Sequence, residues 1–181
     1  LQSGEAIRQM PPQAQWAAAN GFTGKLGRLL PVPGEAGELA GYLFGVGPSA
    51  ARPVLATGLA ASMLEPGRYR LEGALGDPDY AALGFRLGAY RFDRYKAGKS
   101  APELVLPKAA DGAEVERQVE AAFLARDLIN TRPNDLGPDA FETAIRAFAA
   151  RHKMKLRAVV GDDLLKQNFP IIHAVRRASS E

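Results

Sequence analysis

The segment ARDLINTRPNDLGPDAF, residues 125–141, constrains this chain more than any other. It predicts a helix that ends before Pro133, because a proline disfavours the helical conformation in the residue that precedes it. The side chains of Asn134 and Asp135 can bond to nearby backbone groups in a turn. Pro138 suits the first turn of a new helix. The chain is therefore expected to have one folded part, a connecting helix, and a second part that begins after this turn.

The connecting helix is predicted over residues 112–129, with an apolar face at helical spacing formed by Val115, Val119, Ala122 and Phe123. After the turn, a second amphipathic helix is predicted with one face formed by Phe141, Ala144, Ile145 and Phe148. Residues 158–160 then predict a strand, Asp162 is expected to cap a short helix, and residues 171–175 predict a buried strand. A buried strand needs neighbours on both sides, so the chain is expected to be incomplete.

Strands also alternate with helices in the first 110 residues. Residues 11–20 predict a short helix, and the strands at 29–32 and 39–46 flank PGEAG, which has the composition of a hairpin turn. A helix follows, with its buried side expected at Leu55, Leu59, Met63 and the neighbouring alanines. A short strand near Tyr69, a helix capped by Asp77, and a strand at residues 103–106 complete this part. Leu83, Leu87 and Tyr90 fall at helical spacing in the helix after Asp77.

These elements predict an α/β protein in three parts. An amino-terminal mixed α/β domain covers residues 1–110, and the connector helix and turn cover 111–133. Residues 134–181 form the truncated first part of a second α/β domain.

Composition excludes several classes of protein. The net charge of +3 argues against nucleic-acid binding. There is no Cys, which excludes a disulfide framework and thiolate metal sites and fits a reducing compartment. No apolar run approaches the roughly 18 residues that span a bilayer.

Glycines are dense between positions 24 and 47, which raises the question of a phosphate site. The segment GKLGRLLPVPG lacks the spacing of a P-loop and precedes a strand, not a helix. Turns and close backbone approach explain these glycines better. A small-molecule or nucleotide site near the strand ends stays open as the alternative.

No set of residues in the sequence forms a convincing catalytic site. His152 is placed at a helix end, and His173 lies within an apolar run, so structural roles are favoured for both over metal ligation. Adjacent side chains diverge on a helix, so Asp162 and Asp163 are better explained as a cap than as a catalytic pair. The mixed run YRFDRYKAGK is expected at a solvated helix end, with a nucleic-acid surface as the alternative. The serines lie in no GxSxG motif: Ser49, Ser62, Ser100, Ser179 and Ser180.

ARDLINTRPNDLGPDAF, followed by LRAVVGDDLLKQNFPIIHAVRRAS, resembles the junction and the start of the catalytic domain in the leucine aminopeptidase (cytosol aminopeptidase) family. GFTGKLGRLLPVPG and LGAYRFDRYK are similar to the amino-terminal domain of its bacterial members. Three positions depart from the family pattern: Arg132 within the turn, Gly137 at the helix cap, and Arg176 where a small residue is expected.

The resemblance implies a cytoplasmic, hexameric metalloprotease, a leucyl aminopeptidase that removes amino-terminal residues from peptides. It implies two divalent ions, zinc or manganese, which activate a water molecule for the hydrolysis. The family's metal-binding segment resembles NTDAEGR, and neither it nor a Lys close to an Asp-Gly-Gly strand end is present here. No catalytic, cofactor-binding or metal residue is therefore assigned to this chain. It is expected to serve domain positioning and oligomer assembly, with no nucleic acid or membrane partner; the alternative is a regulatory module that binds a nucleotide, another small molecule or DNA.

Overall fold

The computed structural model describes residues 12–73 and 76–176. The described helices are α1 (Pro12–Ala19), α2 (Thr57–Met63), α3 (Pro78–Gly88), α4 (Gly112–Asn130), α5 (Pro138–Arg151), α6 (Asp163–Lys166) and α7 (Pro170–Arg176). The described strands are β1 (Leu29–Pro33), β2 (Leu39–Phe44), β3 (Arg68–Arg70) and β4 (Glu103–Val105). Two short 3-10 turns lie at Ser49–Ala51 and Pro133–Asp135. The chain divides into two compact units, residues 1–123 and 124–181.

The first unit contains two small sheets. β1 and β2 form the predicted antiparallel hairpin, in which Leu29 lies opposite Phe44. The Gly34 amide donates to the Glu38 carbonyl at 2.6 Å across the turn. β3 and β4 are parallel, with Tyr69 opposite Leu104. Helices combined with antiparallel and parallel sheets confirm the predicted α/β class.

The core of the first unit is built largely from small side chains. Ala61 and Phe85 are both fully buried and pack in one cluster with Ala89. Val115 and Val119 of α4 pack in a second cluster with Ala82 and Leu83. The predicted inward face of α4 is therefore confirmed at these two valines.

The predicted buried side of α2 was confirmed for its alanines, since Ala60 and Ala61 are buried, and was wrong for its large residues. Leu55, Leu59 and Met63 are 40%, 45% and 44% exposed. The reason is the close approach of α2 to α3: a Cβ atom on Gly88 would lie 2.0 Å from the carbonyl oxygen of Gly58. Backbones this close leave room only for glycine, alanine and a hydroxyl group, so the large side chains of α2 point elsewhere.

The start of α3 is as predicted. Asp77 is the N-cap residue, and its side chain accepts hydrogen bonds from the amides of Asp79 and Tyr80. Pro78 occupies the first helical position. The helix ends at Gly88, however, so Tyr90 lies beyond it and the run that follows is a loop, not the predicted helix end.

The junction after α4 also follows the sequence prediction. The amide and the hydroxyl of Thr131 both donate to the Asp127 carbonyl, at 2.9 and 2.6 Å. Pro133 begins a 3-10 turn, and Pro138 begins α5 with Gly137 at the N-cap position. Gly137 has no side chain that could form a capping hydrogen bond. The start of α5 is therefore favoured by the fixed φ angle of Pro138, which suits the first helical position.

Both strands predicted in the second unit were wrong. Residues 154–160 have no strand partner among the described residues, and 170–176 form α7. Ile171 and Val175 are 79% and 70% exposed, where burial was expected. A strand requires a neighbour for its backbone groups, whereas a helix satisfies them internally. Pro170 also fits the first turn of a helix, which favours the helical outcome.

The apolar face predicted for α5 is present but mostly uncovered. Phe141 and Ile145 are 44% and 36% exposed, and Ala149 is the buried residue of the helix. Within the described ranges, no helix is both long and apolar enough to cross a membrane.

Candidate functional site

The densest group of carboxylates lies where α3 and α4 begin. Asp77, Asp79 and Glu114 line a narrow cleft of about 160 Å³. Asp79 Oδ1 accepts a hydrogen bond from the amide of Asp111 at 2.7 Å. The carboxylate of Asp111 accepts from the amides of Ala113 and Glu114, both at 3.1 Å.

These carboxylates satisfy the first amides of the two helices, where negative charge is favoured. Glu114 has further partners, because it accepts from Gln118 Nε2 at 2.6 Å and pairs with Arg117. Across the described ranges, no three His, Asp or Glu side chains are arranged to hold a metal ion. The residues present therefore do not fit the metal pair that the family resemblance implies, and no hydrolytic step can be assigned to them.

The two histidines have neighbours that explain their positions. The His152 ring packs against the Phe148 ring at 4.4 Å between centroids, and its amide closes the end of α5. His173 lies on α7, not on the predicted strand, and its Nε2 atom is 3.3 Å from Asp162 Oδ1. Its side chain is only 18% exposed. These contacts support structural roles for both residues.

Asp162 and Asp163 point to different partners, as expected for adjacent residues. Asp163 Oδ1 accepts a hydrogen bond from Lys166 Nζ at 2.7 Å, and this bond raises the pKa of Lys166. Asp162 occupies the N-cap position of α6, but its side chain makes no capping hydrogen bond. The predicted cap role of its carboxylate was therefore wrong, and the contact with His173 stands in its place.

The run YRFDRYKAGK folds back on itself. Tyr90 meets Phe123 edge-on at 5.0 Å, and Phe92 meets Tyr95 at 5.7 Å. The Arg91 guanidinium donates to the carbonyls of Gly88 and Tyr90. These edge-on ring contacts support a structural role for the aromatic side chains of this run.

A third aromatic group ties the first unit's sheets to its core. The Tyr69 ring lies 6.2 Å from Tyr42 and 6.5 Å from Phe85, and its hydroxyl donates to the Glu65 carbonyl at 2.9 Å. Burial raises the pKa of Tyr69, and the nearby Tyr42 and Glu65 raise it further.

A larger cleft of about 390 Å³ lies between residues 23–25 and 44–48. It is lined by Gly24, Gly45 and Gly47, which belong to the glycine-dense stretch for which the sequence left a small-molecule or nucleotide site open. Several of these glycines have positive φ, among them Gly24 at 73° and Gly47 at 72°, which supports turns as the main reason for their presence.

Comparison with known proteins gives matches along both units. Residues 7–107 match the family model of the M17 aminopeptidase N-terminal domain. Residues 123–181 match that of the cytosol aminopeptidase family catalytic domain. The two matches lie in order on either side of most of α4.

Curated relatives and solved structures agree with these matches. A probable cytosol aminopeptidase of Wolinella succinogenes is 30% identical over 88% of this chain and 37% of its own length. One of Streptomyces coelicolor is 34% identical over 58% of this chain and 25% of its own. The crystal structure of a cytosol aminopeptidase from Coxiella burnetii superposes with a TM-score of 0.80 and 31% identity, covering 98% of this chain and 39% of that one. The structure of the bottromycin maturation enzyme BotP, in complex with Mn, superposes with a TM-score of 0.70 and 26% identity. It covers 83% of this chain and 36% of that one.

One antiparallel and one parallel two-stranded sheet, the helices between them and the long helix α4 define an α/β domain. This domain is of the kind found at the amino terminus of M17 aminopeptidases. The chain belongs to the cytosol aminopeptidase family and corresponds to the amino-terminal part of such a protein. It spans about 37% of the length of the Wolinella succinogenes relative.

Proposed function

We propose that this chain is the non-catalytic amino-terminal portion of a metal-dependent leucyl aminopeptidase that removes amino-terminal residues from peptides. The observation that carries the proposal is the order of the two family matches, one before and one after the main part of α4.

Within such an enzyme, we assign this portion to domain positioning. α4 continues without a break for 19 residues, from Gly112 to Asn130. A continuous helix transmits orientation better than a flexible Gly/Ser linker does. The hydrogen bonds of Thr131 and the prolines that follow keep the exit from this helix ordered.

The proposal for the whole protein also includes oligomer assembly as a homohexamer, a cytoplasmic location, and two divalent ions, manganese or zinc. The structure of BotP in complex with Mn, to which this chain is 26% identical, supports manganese as a candidate ion. Neither a nucleic acid nor a membrane is proposed as a partner, in keeping with the net charge of +3.

The test compares the 181-residue chain with a chimera. In the chimera, this chain replaces the matching part of the Coxiella burnetii cytosol aminopeptidase, to which it is 31% identical. We expect the chimera to hydrolyse leucyl p-nitroanilide when Mn²⁺ or Zn²⁺ is added, and the chain alone to show no hydrolysis. The isolated matching part of the Coxiella protein serves as the control for background turnover.

Two results would contradict the proposal. One is metal-dependent turnover by the purified chain alone, which would place a catalytic site within it. The other is a chimera that folds by circular dichroism and keeps the oligomeric state of the Coxiella protein, yet hydrolyses nothing. A folded, active chimera with an altered oligomeric state would contradict only the assembly role.

A further inference from the structure

The cleft between residues 23–25 and 44–48, here called the hairpin cleft, plays no part in the proposed aminopeptidase function. Its volume of about 390 Å³ falls within the range of small-molecule sites. The entire cleft lies within the first unit.

Backbone hydrogen bonds hold the two walls of the hairpin cleft together. The Gly47 amide donates to the Gly24 carbonyl at 3.0 Å, and the Gly27 amide donates to the Gly45 carbonyl at 3.0 Å. A Cβ atom on Gly45 would lie 2.0 Å from the Lys25 carbonyl oxygen, so only glycine allows this approach. The walls are therefore in direct backbone contact and are fixed by the fold.

The side chains around the hairpin cleft are of two kinds. The cleft is lined by Thr23 and Lys25, which carry a hydroxyl and an ammonium group, and by the apolar residues Phe44, Val46 and Pro48. No Asp or Glu is among the described residues that line it. Arg28 lies close by in the chain, with its guanidinium held by the carbonyls of Asn20 and Gly21, and adds a second positive charge to this end of the hairpin.

We propose that the hairpin cleft binds a small molecule in which an anionic group lies beside an aromatic ring, of the class of nucleoside monophosphates. The anionic group pairs with the ammonium of Lys25 and accepts a hydrogen bond from the Thr23 hydroxyl. The ring packs against Phe44 and Pro48. The cleft is open to solvent, so binding is weak and depends on both contacts at once.

The test is a titration of the uniformly ¹⁵N-labelled chain with adenosine monophosphate, followed by NMR. We expect saturable shifts at the amides of Gly24, Lys25, Gly45 and Gly47. Lys25→Gln should raise the dissociation constant about five-fold or more, because it removes a charge-assisted contact. Lys25 is exposed, so the variant is expected to fold, which its unchanged spectrum outside the cleft will verify.

Lys96→Gln is the matched control, since it removes the same charge from an exposed loop position in the same unit. It should leave the dissociation constant within about two-fold of the unaltered chain, as expected for a distant, screened charge. Adenosine and inorganic phosphate, titrated separately, should each bind more weakly than the monophosphate. The proposal is overturned if the monophosphate gives no saturable shifts at these amides, if the two lysine variants behave alike, or if phosphate alone binds as tightly.

Discussion

The Asp77 carboxylate shows how one side chain can decide where a helix begins. Its Oδ1 atom accepts from the amides of Asp79 and Tyr80 at 2.8 and 3.3 Å. All the partners are within three residues, so the cap was predictable from the local sequence. Asp162 also precedes a short helix, so the local sequence predicted a cap there as well. Its Oδ1 atom instead lies 3.3 Å from Nε2 of His173, eleven residues away. That contact depends on how α7 folds.

Asp77→Ala should lower the free energy of unfolding by about 0.5–2 kcal/mol, because two amides of α3 lose their acceptor. The measurement is chemical denaturation followed by circular dichroism. Asp93→Ala, at an exposed position in the loop after α3, is the control and should change stability by less than about 0.5 kcal/mol. Equal effects of the two substitutions would show that the cap contributes nothing specific.

Among the elements, the contact between α2 and α3 was predicted only in part. Apolar spacing pointed to Leu55, Leu59, Met63 and the neighbouring alanines, whereas the structure buries Ala60 and Ala61 and leaves the three large side chains exposed. The hydroxyl of Thr57 is also buried and donates to the Ala81 carbonyl of α3 at 2.7 Å. Helical spacing indicates which residues share a face, but the distance between two helices decides whether that face holds leucines or alanines.

Two substitutions on α2 separate these alternatives. Ala61→Leu should lower the free energy of unfolding by about 1–3 kcal/mol, because a fully buried site against α3 has no room for three more carbons. Leu59→Gln should cost less than about 1 kcal/mol, since this side chain is 45% exposed. Thermal and urea unfolding measure both, and a larger loss for Leu59→Gln would refute the small-residue packing.

At the scale of the whole molecule, the segment between α4 and α5 lies inside the second unit, which begins at residue 124. Its two prolines set the backbone where the 3-10 turn and α5 begin. Proline restricts the φ angle and so removes conformations that an alanine would allow. The division into domains at 1–110, 111–133 and 134–181 stays a prediction.

The double variant Pro133→Ala/Pro138→Ala should loosen this segment and increase cleavage by thermolysin between residues 130 and 138. Thermolysin is chosen because trypsin would respond simply to the loss of proline after Arg132. Pro107→Ala, before α4, is the control and should leave cleavage at 130–138 unchanged. A digestion pattern of the double variant that matches the unaltered chain, by mass spectrometry of timed samples, would contradict the stiffening role of the prolines.

Some features of the candidate sites depend on neighbours along the chain, and others depend on residues far apart in sequence. The sequence sufficed to predict that His152 closes a helix and that Asp162 and Asp163 diverge, because each statement concerns neighbours along the chain. It left a small-molecule or nucleotide site near the strand ends open, but it did not define the hairpin cleft, whose walls come from residues about twenty positions apart. Its glycines were visible in the sequence, but the space that they enclose was not.

The sequence by itself determined the α/β class, the β1–β2 hairpin, the caps and prolines that start α3 and α5, and the family to which the chain belongs. These features depend on turn chemistry, side chains close in sequence, and motifs that can be read directly. The tertiary structure decided which faces are buried and whether residues 171–175 form a strand or a helix. Burial depends on the separation of packed elements, and a strand depends on a neighbour to receive its hydrogen bonds, so neither can be deduced from the segment alone.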